Sequence, residues 1–348
     1  MYFKREELKK FRSFKGPLID VRSPSEYYKG HMSNSINIPL FNNDERSIIG
    51  TIYKRSGREK AVKEGLNIVE KKIDYLLDTL FNCINSYEIK KLDHGNIQPT
   101  IKIYCARGGM RSQSIAWLLE KYNFHTVTLI GGYKKYRKWT LDSFSKKWNI
   151  VVIGGKTGTG KTKLLQLLEK YNYQTVDLEG FASHRGSTFG GLGMQKQPTN
   201  EDFENKIAEK LINCNQFDPI FVEAESANIG KCKIPNDFFY QIKSSKRIEI
   251  VRSEENRFEE LINTYSIFNQ EDLKDAVLRI KKRLGPQRTK IAIESIKNKK
   301  WDFVCKAVLE YYDKCYEYEK FGNENIKSLD LTNKIYDKNI LEEINNIL

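Results

Sequence analysis

The run GKTGTGKT at residues 155–162 constrains the fold more than any other stretch of this 348-residue chain. It fits the pattern G-x-x-x-x-G-K-[ST], follows the apolar stretch NIVVIG and precedes KLLQLLEKY, whose apolar residues recur at helical spacing. Glycines let the backbone N–H groups of such a loop close around phosphate oxygens, while Lys161 pairs with the phosphates and Thr162 binds Mg²⁺. The glycines concerned are Gly155, Gly158 and Gly160. The sequence therefore predicts a strand, a phosphate-binding loop and a helix, and any diphosphate ester fits this loop as well as ATP does.

Two acidic strand ends follow the loop. TVDLEG offers Asp177 and Glu179, and PIFVEAES offers Glu223 and Glu225. An acid at the end of a neighbouring strand commonly holds Mg²⁺ through water or orients a nucleophile. Glu223, directly after the apolar IFV, is the better candidate. The alternative is that these acids are exposed strand ends.

The stretch LEGFASHRGSTFGGLG, rich in glycine and serine, carries His184 and Arg185. Its composition predicts a loop near the phosphate site, either a flexible lid or a nucleotide-binding surface. His184 is a candidate base, and a hydrogen-bonded structural histidine is the equal alternative.

The first half of the chain carries YCARGGMRSQS at residues 104–114. Cys105 ends an apolar stretch, the glycines Gly108 and Gly109 follow it, and a helical pattern begins soon after. Such a junction turns backbone N–H groups inward and binds anions. A thiolate at a helix N-terminus near Arg107 and Arg111 is expected to have a lowered pKa and to act as a nucleophile towards a phosphate-bearing reagent. The alternative is a buried structural cysteine.

Charge and cysteine usage limit the class of protein. The net charge is +14 and the pI about 9.2, which favours a polyanionic partner, nucleic acid first, although a lysine-rich composition also serves solubility. The six cysteines form no C-x-x-C pair, so we expect no structural metal. There is no apolar run long enough for a bilayer, and MYFKREELKKF lacks a signal core, so we expect a cytoplasmic protein without a membrane partner.

The pattern along the chain predicts two α/β domains. PLIDV, IKIYC and TVTLIGG are predicted strands, RSQSIAWLLEKY is a predicted helix, and YRKWTLDSFSKKW is interpreted as a connector. NIVVIGG opens the second unit, and from about residue 255 the pattern is helical. We predict a first domain over residues 5–140 and a phosphate-loop domain with a helical C-terminal region over residues 147–348.

The segment LIDVRSPSEYYKGHMSNSINIPL resembles the entry motif of rhodanese domains, and the likeness extends through Cys105 to LIGGYKKYRKW. The resemblance implies a rhodanese-like first domain in which Asp20 and His31 are structural. The loop from Cys105 to Arg111 spans seven residues, one more than in sulfur-transferring rhodaneses. It is similar in length to the loop of rhodanese-fold phosphatases, which cradle a phosphate-sized group, although those proteins usually have His where this chain has Tyr104.

The combination of both halves resembles the tRNA 2-selenouridine synthase family. The residues that carry this resemblance are YCARGGMRSQS, DLEGFASHRGSTFG, VEAES followed by IG, and YYDKCY. One departure is Ala227 where the family has Arg after the ES pair, so any phosphate contact of that arginine is either lost or supplied elsewhere, with Lys231 as a candidate.

What this resemblance implies is a two-stage reaction on the wobble 2-thiouridine in the anticodon loop of tRNA. The sulfur first attacks geranyl diphosphate, and selenium from selenophosphate then replaces the thiogeranyl group. Cys105 matches the family cysteine that carries selenium, with Arg111 holding the departing phosphate, while the loop at residues 155–162 holds the prenyl diphosphate with Mg²⁺. The expected partners are tRNA and an enzyme that supplies selenophosphate, and the protein is expected to be a monomer.

Two other functions fit parts of the sequence. A tRNA sulfurtransferase with an accessory ATPase would carry a persulfide on Cys105 and hydrolyse ATP. A phosphate-loop RNA-binding module with a degenerate rhodanese would need no reactive cysteine, and the intact cysteine loop argues against it.

Overall fold

The structure, a computed structural model, describes residues 4–89, 99–319 and 326–348. The chain divides into two compact units, Met1–Asp142 and Ser143–Leu348. No helix in these described ranges is both long and apolar enough to cross a membrane. The side chain of Cys315, in the YYDKCY run, lies outside the described part of the chain.

The elements of the first unit alternate strands with helices, and the last helix continues across the unit boundary. In chain order they are β1 (Lys4–Glu6), α1 (Leu8–Ser13), β2 (Leu18–Asp20), α2 (Pro24–Lys29), β3 (Ile36–Asn37), α3 (Asn43–Glu70), α4 (Ile73–Ile89), β4 (Ile101–Tyr104), α5 (Met110–Lys121), β5 (Thr126–Leu129) and α6 (Gly132–Phe144).

The first sheet has the strand order β1-β5-β4-β2-β3, and every pair is parallel. Helices cover such a sheet, so its three inner strands β2, β4 and β5 are largely buried on both faces, whereas the edge strand β1 is charged and mostly exposed. Ile19 and Ile103 are register partners at the centre, and both are fully buried in one core with Leu119 of α5. The predicted strands PLIDV, IKIYC and TVTLIGG and the predicted helix RSQSIAWLLEKY are therefore confirmed.

The interpretation of residues 136–148 as a connector was wrong, because α6 continues to Phe144. Tyr133 and Tyr136 are buried against Val127 and Leu129 of β5, and Trp139 packs on the same cluster. These aromatic residues recur every three residues, so they share one helical face, while the lysines and arginines between them lie on the other. The part of the predicted connector up to Phe144 is therefore an amphipathic helix, and only residues 145–148 lie outside it.

The second unit also alternates strands and helices before a mainly helical region. Its elements are β6 (Ile150–Gly155), α7 (Lys161–Lys170), β7 (Gln174–Val176), α8 (Leu178–Ala182), α9 (Asn200–Ile212), β8 (Ile220–Glu223), β9 (Asn228–Ile229), β10 (Cys232–Lys233), α10 (Asn236–Ser244), β11 (Lys246–Val251), α11 (Glu254–Tyr265), α12 (Gln270–Arg279), α13 (Lys281–Leu284), α14 (Pro286–Lys297), α15 (Trp301–Glu319), β12 (Ile326–Asp330) and α16 (Asn339–Ile347).

The second sheet has the order β12-β11-β6-β8-β7, again parallel throughout, and β9 and β10 form a separate antiparallel pair. The central strand β6 is buried at every residue, as its apolar sequence predicts. The α/β fold class with a helical C-terminal region is confirmed. Strand β12 was not predicted, because it is an edge strand in which Leu329 alone is fully buried.

Helices α11 to α15 pack around a core of their own. Leu273, Ala276 and Val277 of α12 contact the buried residues of α14 and α15 in one apolar cluster. Phe189, from the glycine-rich loop after α8, is buried in the same cluster. This loop is therefore anchored to the helical region at its middle.

Candidate functional site

Cys105 follows β4 directly and lies at the entrance to α5, which begins at Met110. The side chain is buried, with Sγ 3.2 Å from the hydroxyl of Ser112 and 3.8 Å from the carbonyl oxygen of Gly109. Ser112 lies in the first turn of α5. The predicted placement of the thiol at a helix N-terminus is thus present, and Ser112 is a neighbour that the sequence did not single out.

In the loop that begins at Cys105, the backbone N–H groups are open, whereas the first two carbonyl oxygens accept hydrogen bonds from α6. Within the described residues, no backbone N–H from Ala106 to Ser112 donates a hydrogen bond. The carbonyls of Cys105 and Ala106 accept from the N–H groups of Tyr133 and Lys134, at 2.9 and 3.0 Å. Gly108 has φ +63°, and a Cβ there would lie 2.2 Å from the carbonyl oxygen of Leu129. This arrangement is an anion-binding nest, which only glycine at this position permits.

The two arginines of the loop differ in their surroundings. Arg107 is exposed. Arg111 forms a two-pronged ion pair with Glu26, with Nη1–Oε2 at 2.7 Å and Nη2–Oε1 at 3.2 Å. Burial by itself raises the pKa of Glu26, but the hydrogen bonds and charge of Arg111 outweigh it and hold that pKa at about 2. Arg111, predicted to hold a departing phosphate, is thus paired with an acid that the sequence did not point to.

The residues of the entry motif form the frame beneath this loop. The Arg22 guanidinium is buried, bonds both carboxylate oxygens of Asp20 and the carbonyl of Gly30, and lies 3.7 Å over the ring of Tyr133. His31 stacks on Tyr27 at 3.9 Å. Asp20 and His31 therefore make structural contacts, as the interpretation of this motif expected.

The phosphate loop begins at the end of β6 and ends in the first turn of α7. Within the described residues, the backbone N–H groups of Thr157, Gly158, Gly160, Lys161 and Thr162 donate no hydrogen bond. Gly160 has φ +83°, and a Cβ there would collide with the Tyr336 hydroxyl. The ammonium group of Lys161 lies 3.2 Å from the carbonyl oxygen of Gly155. These open donors and this cation have the arrangement expected of a phosphate-binding loop.

Distant residues hold the phosphate loop in place. Asp313 and Tyr316 lie in the YYDKCY run that carries the family resemblance, but the sequence did not indicate that they contact this loop. The hydroxyl of Tyr316 accepts from the Gly155 N–H and bonds the buried Arg247–Glu249 pair. The hydroxyl of Tyr336 donates to the Thr159 carbonyl at 2.6 Å. Arg257 also holds the loop: its Nε donates to the Thr157 carbonyl at 2.9 Å, and its other nitrogens pair with Asp313. Gly155 therefore shapes the loop, since both its backbone groups have protein partners.

Three of the predicted acids meet beside the loop. Carboxylate oxygens of Glu179, Glu223 and Glu225 lie within 4.8 Å of one another, and Thr162 Oγ1 lies 3.2 Å from Glu179. Glu223 is fully buried, and neither of its oxygens has a hydrogen-bond partner among the described residues. Burial, followed by the charge of Glu179, raises the pKa of Glu223 well above its usual range. A buried, unsatisfied carboxylate among other carboxylates is suited to a divalent cation.

The remaining candidates lie around this carboxylate cluster. Asp177 is the N-cap of α8 and accepts from the Gly180 N–H at 2.7 Å, so it is a structural residue there. His184 Nδ1 is buried without a partner in the described chain, and burial lowers the pKa of its ring. Arg185 donates to the Leu192 carbonyl and so closes its own loop. Gly186 adjoins the cluster, since a Cβ there would lie 2.6 Å from Glu225 Oε2.

A cysteine nest after a parallel strand and a phosphate loop with acidic strand ends define a protein with a rhodanese-like domain followed by a phosphate-loop domain. The family models agree: the rhodanese-like domain matches residues 4–139, and the tRNA 2-selenouridine synthase AAA domain matches residues 148–329. The chain belongs to the tRNA 2-selenouridine synthase family, which confirms the resemblance seen in the sequence.

Two sequence relatives give the same result. The tRNA 2-selenouridine synthase of Nitrosomonas eutropha is 37% identical over 259 residues, which are 72% of this chain and 63% of that protein, less than two thirds of its length. The protein of the same name from Sulfurovum sp. is 33% identical over 337 residues, 87% of this chain and 88% of its own. A solved N-terminal domain of a Clostridium difficile 630 protein described as ATP/GTP binding is 35% identical, covers 40% of this chain and 99% of its own, and has a TM-score of 0.35.

Proposed function

We propose that this protein converts the wobble 2-thiouridine of tRNA to 2-selenouridine, by S-geranylation with geranyl diphosphate and then selenium transfer from selenophosphate. The observation that carries the proposal is the presence, in one chain of this family, of two anion sites of different design. One is a cysteine loop with open N–H groups. The other is a phosphate loop beside a carboxylate cluster. The first suits a tetrahedral selenium-bearing anion, and the second suits a diphosphate leaving group.

In the first reaction, the thiocarbonyl sulfur attacks C1 of geranyl diphosphate. The sulfur–carbon bond forms, the carbon–oxygen bond breaks, and diphosphate leaves with the electron pair while the uridine loses its N3 proton. The open N–H groups of the phosphate loop and the ammonium group of Lys161 would stabilise the negative charge that develops on the diphosphate.

Mg²⁺ fits this second site. Thr162 and the carboxylates of Glu179, Glu223 and Glu225 would hold it, and a cation would satisfy the partnerless carboxylate of Glu223. When bound, Mg²⁺ would supply further neutralisation of the diphosphate charge.

In the second reaction, C2 of the S-geranylated uridine is the electrophile, because a thiolate leaves more readily than sulfide. Selenium in selenophosphate is already fully reduced. If the Cys105 thiolate attacked selenium, the phosphorus would leave with the electron pair of the Se–P bond and so be reduced to phosphite. We therefore propose a redox-neutral course that differs from the expectation of selenium on Cys105. The thiolate attacks phosphorus and carries the phosphoryl group, and selenide leaves with the electron pair of the broken Se–P bond. Selenide then attacks C2, the thiogeranyl group leaves and takes a proton, and water hydrolyses the Cys105 phosphorothioester to phosphate.

The tRNA partner is supported by charge near the cysteine loop. Helix α3 breaks at Gly57, which has φ +83°, and Arg58 after the break contacts the sulfur of Met110 at 3.8 Å. Around this break Lys54, Arg55 and Arg58 are all exposed. With the net charge of +14, this surface suits a phosphate backbone beside the cysteine. We also propose that the protein works in the cytoplasm as a monomer, with selenophosphate from a separate enzyme.

Nucleoside mass spectrometry tests the proposal. Thiolated tRNA is incubated with Mg²⁺, geranyl diphosphate, selenophosphate and either wild-type protein, Cys105→Ala or Lys161→Ala. We expect 2-selenouridine from the wild type, accumulation of S-geranyl-2-thiouridine with Cys105→Ala, and unchanged 2-thiouridine with Lys161→Ala. If the wild type leaves thiouridine untouched with both donors present, the proposed function is wrong.

A further inference from the structure

An apolar cavity lies in the second unit, enclosed by α11, α12, α15 and the glycine-rich loop after α8. Its volume is about 520 Å³, including space open to solvent. Its walls are almost wholly carbon. The residues that line it include Phe189, Leu261, Tyr265, Trp301, Val304 and Leu309. Small-molecule sites are typically concave and lined mainly by apolar and aromatic side chains, as this cavity is.

One end of the cavity adjoins the phosphate site. Thr157, a residue of the phosphate loop, lines it, and so does Ser187. Ser187 follows Gly186, whose Cβ position would lie 2.6 Å from Glu225 Oε2 and 3.0 Å from Glu179 Oε1. The cavity therefore reaches the phosphate loop at Thr157, and Ser187 in its wall follows a glycine that adjoins the carboxylate cluster.

Almost none of the surface that lines the cavity is polar. The Tyr312 hydroxyl accepts from the Thr188 N–H at 2.9 Å. Burial raises the pKa of the Cys305 thiol, which also lines the cavity, to about 12, with a further contribution from Asp302. A nucleoside would bring a base and a ribose whose hydrogen-bonding groups would remain unsatisfied here, at a high desolvation cost.

The geometry points to a ligand with a diphosphate head and a hydrocarbon tail. We infer that this cavity holds the hydrocarbon chain of the prenyl donor, places its diphosphate in the loop at residues 155–162, and sets the chain length that the enzyme accepts. This inference rests on the proposed function for the identity of the donor. It adds the residues that recognise the chain, among which Leu261 and Trp301 are specificity-determining.

Calorimetric titration of the full-length protein with Mg²⁺ tests the inference without tRNA or selenophosphate. The probes are geranyl diphosphate, dimethylallyl diphosphate, inorganic diphosphate and ADP. Because each buried methylene adds to affinity, we expect geranyl diphosphate to bind roughly 100-fold more tightly than inorganic diphosphate, with dimethylallyl diphosphate between them. Equal affinities for geranyl and inorganic diphosphate, or tighter binding of ADP than of geranyl diphosphate, would overturn it.

A matched pair of variants on α11 locates the chain. Leu261 is half-buried in the cavity wall, whereas Asn263 on the same helix is exposed. Leu261→Trp should reduce geranyl diphosphate affinity by about 30-fold or more and leave inorganic diphosphate within about twofold, while Asn263→Trp changes neither. Unchanged geranyl diphosphate affinity in Leu261→Trp would contradict the inference.

Photolabelling keeps the test independent of how the variant folds. A geranyl diphosphate analogue with a diazirine at the chain end should label wild-type peptides containing Leu261, Trp301 or Leu309, and labelling confined to other peptides would refute the site. The outcomes separate the two proposals. Chain-dependent binding without any change to thiolated tRNA would count against the proposed function alone. Geranylation of tRNA that Leu261→Trp does not affect would count against the cavity alone.

Discussion

Removing the carboxylate of Glu26 should destabilise the first unit, because Arg111 would lose its partner in a place where water replaces it poorly. The side chains of Glu26 and Arg111 are 25% and 17% exposed. The pKa of Glu26 falls from an ordinary value of 4.5 to about 2, which sets an upper bound of about 3 kcal/mol on its contribution. Solvent screening of the exposed part reduces this, and we expect a coupling free energy of about 2 kcal/mol at neutral pH.

A double-mutant cycle with Glu26→Gln, Arg111→Gln and the double variant measures this coupling. Urea unfolding followed by pulsed hydrogen exchange with peptide resolution separates the transition of the first unit from that of the second. The control is the surface pair of Glu6 and Lys10, whose lysine is 65% exposed, and its cycle should give about 0.5 kcal/mol or less. A coupling for the Glu26 pair no larger than that of the control would refute the reasoning.

The pH dependence provides a second check on the same pair. Since folding lowers the pKa of Glu26, its contribution is fully present above the unfolded pKa and is lost as the pH falls towards about 2. The stability difference between wild type and Glu26→Gln should therefore be constant from pH 8 to pH 6 and shrink below roughly pH 4.5. A difference that grows on acidification would contradict the assigned ion pair.

The other predictions concern the second unit and the tRNA. In Mg²⁺-free buffer, Glu223→Gln should raise the free energy of unfolding by about 1–3 kcal/mol at pH 8 and far less at pH 5. The reason is that burial and the charge of Glu179 raise the pKa of Glu223, so its ionised form destabilises the fold. Urea titrations at both pH values test this, and a variant less stable than the wild type at pH 8 would contradict it. Tyr316→Phe should cost about 2 kcal/mol in urea unfolding, since the hydroxyl satisfies Gly155 and a buried ion pair, whereas Tyr240→Phe, at an exposed position, should cost nothing measurable. Affinity for tRNA should fall steeply with salt in a filter-binding assay, and a flat salt dependence would exclude an electrostatic tRNA surface.

The sequence predicts features that depend on short stretches of chain. The phosphate loop follows from residues 155–162 and their flanks, because the glycines, Lys161 and Thr162 act within one strand–loop–helix turn. The cysteine loop follows in the same way, since Gly108 and Cys105 are close in sequence. The acids at the ends of β7 and β8 are predictable too, because neighbouring parallel strands end at one sheet edge.

Features that depend on distant residues are not predictable from this one sequence. Glu26 lies 85 residues from Arg111, and Tyr316 lies 161 residues from Gly155, so no local pattern connects them. The cavity is built from side chains on several helices and one loop, and each looks like an ordinary core residue by itself. The helix at residues 136–144 was missed because the lysines and arginines between its aromatic residues suggest a linker. The helix becomes evident only when the aromatic residues are seen to share one buried face.

The order of the second sheet has a consequence for biosynthesis. The core beneath the phosphate loop contains Leu164 and Leu168 of α7 together with Ile340 and Ile344 of α16. Strand β12 pairs with β11 only after the whole helical region between them has been translated. A nascent chain that has emerged as far as α15 therefore leaves β11 without its outer neighbour and α7 without part of its apolar cover. The sheet of the first unit can therefore be completed early in synthesis, whereas the sheet of the second is completed only after its last strand and helix have emerged.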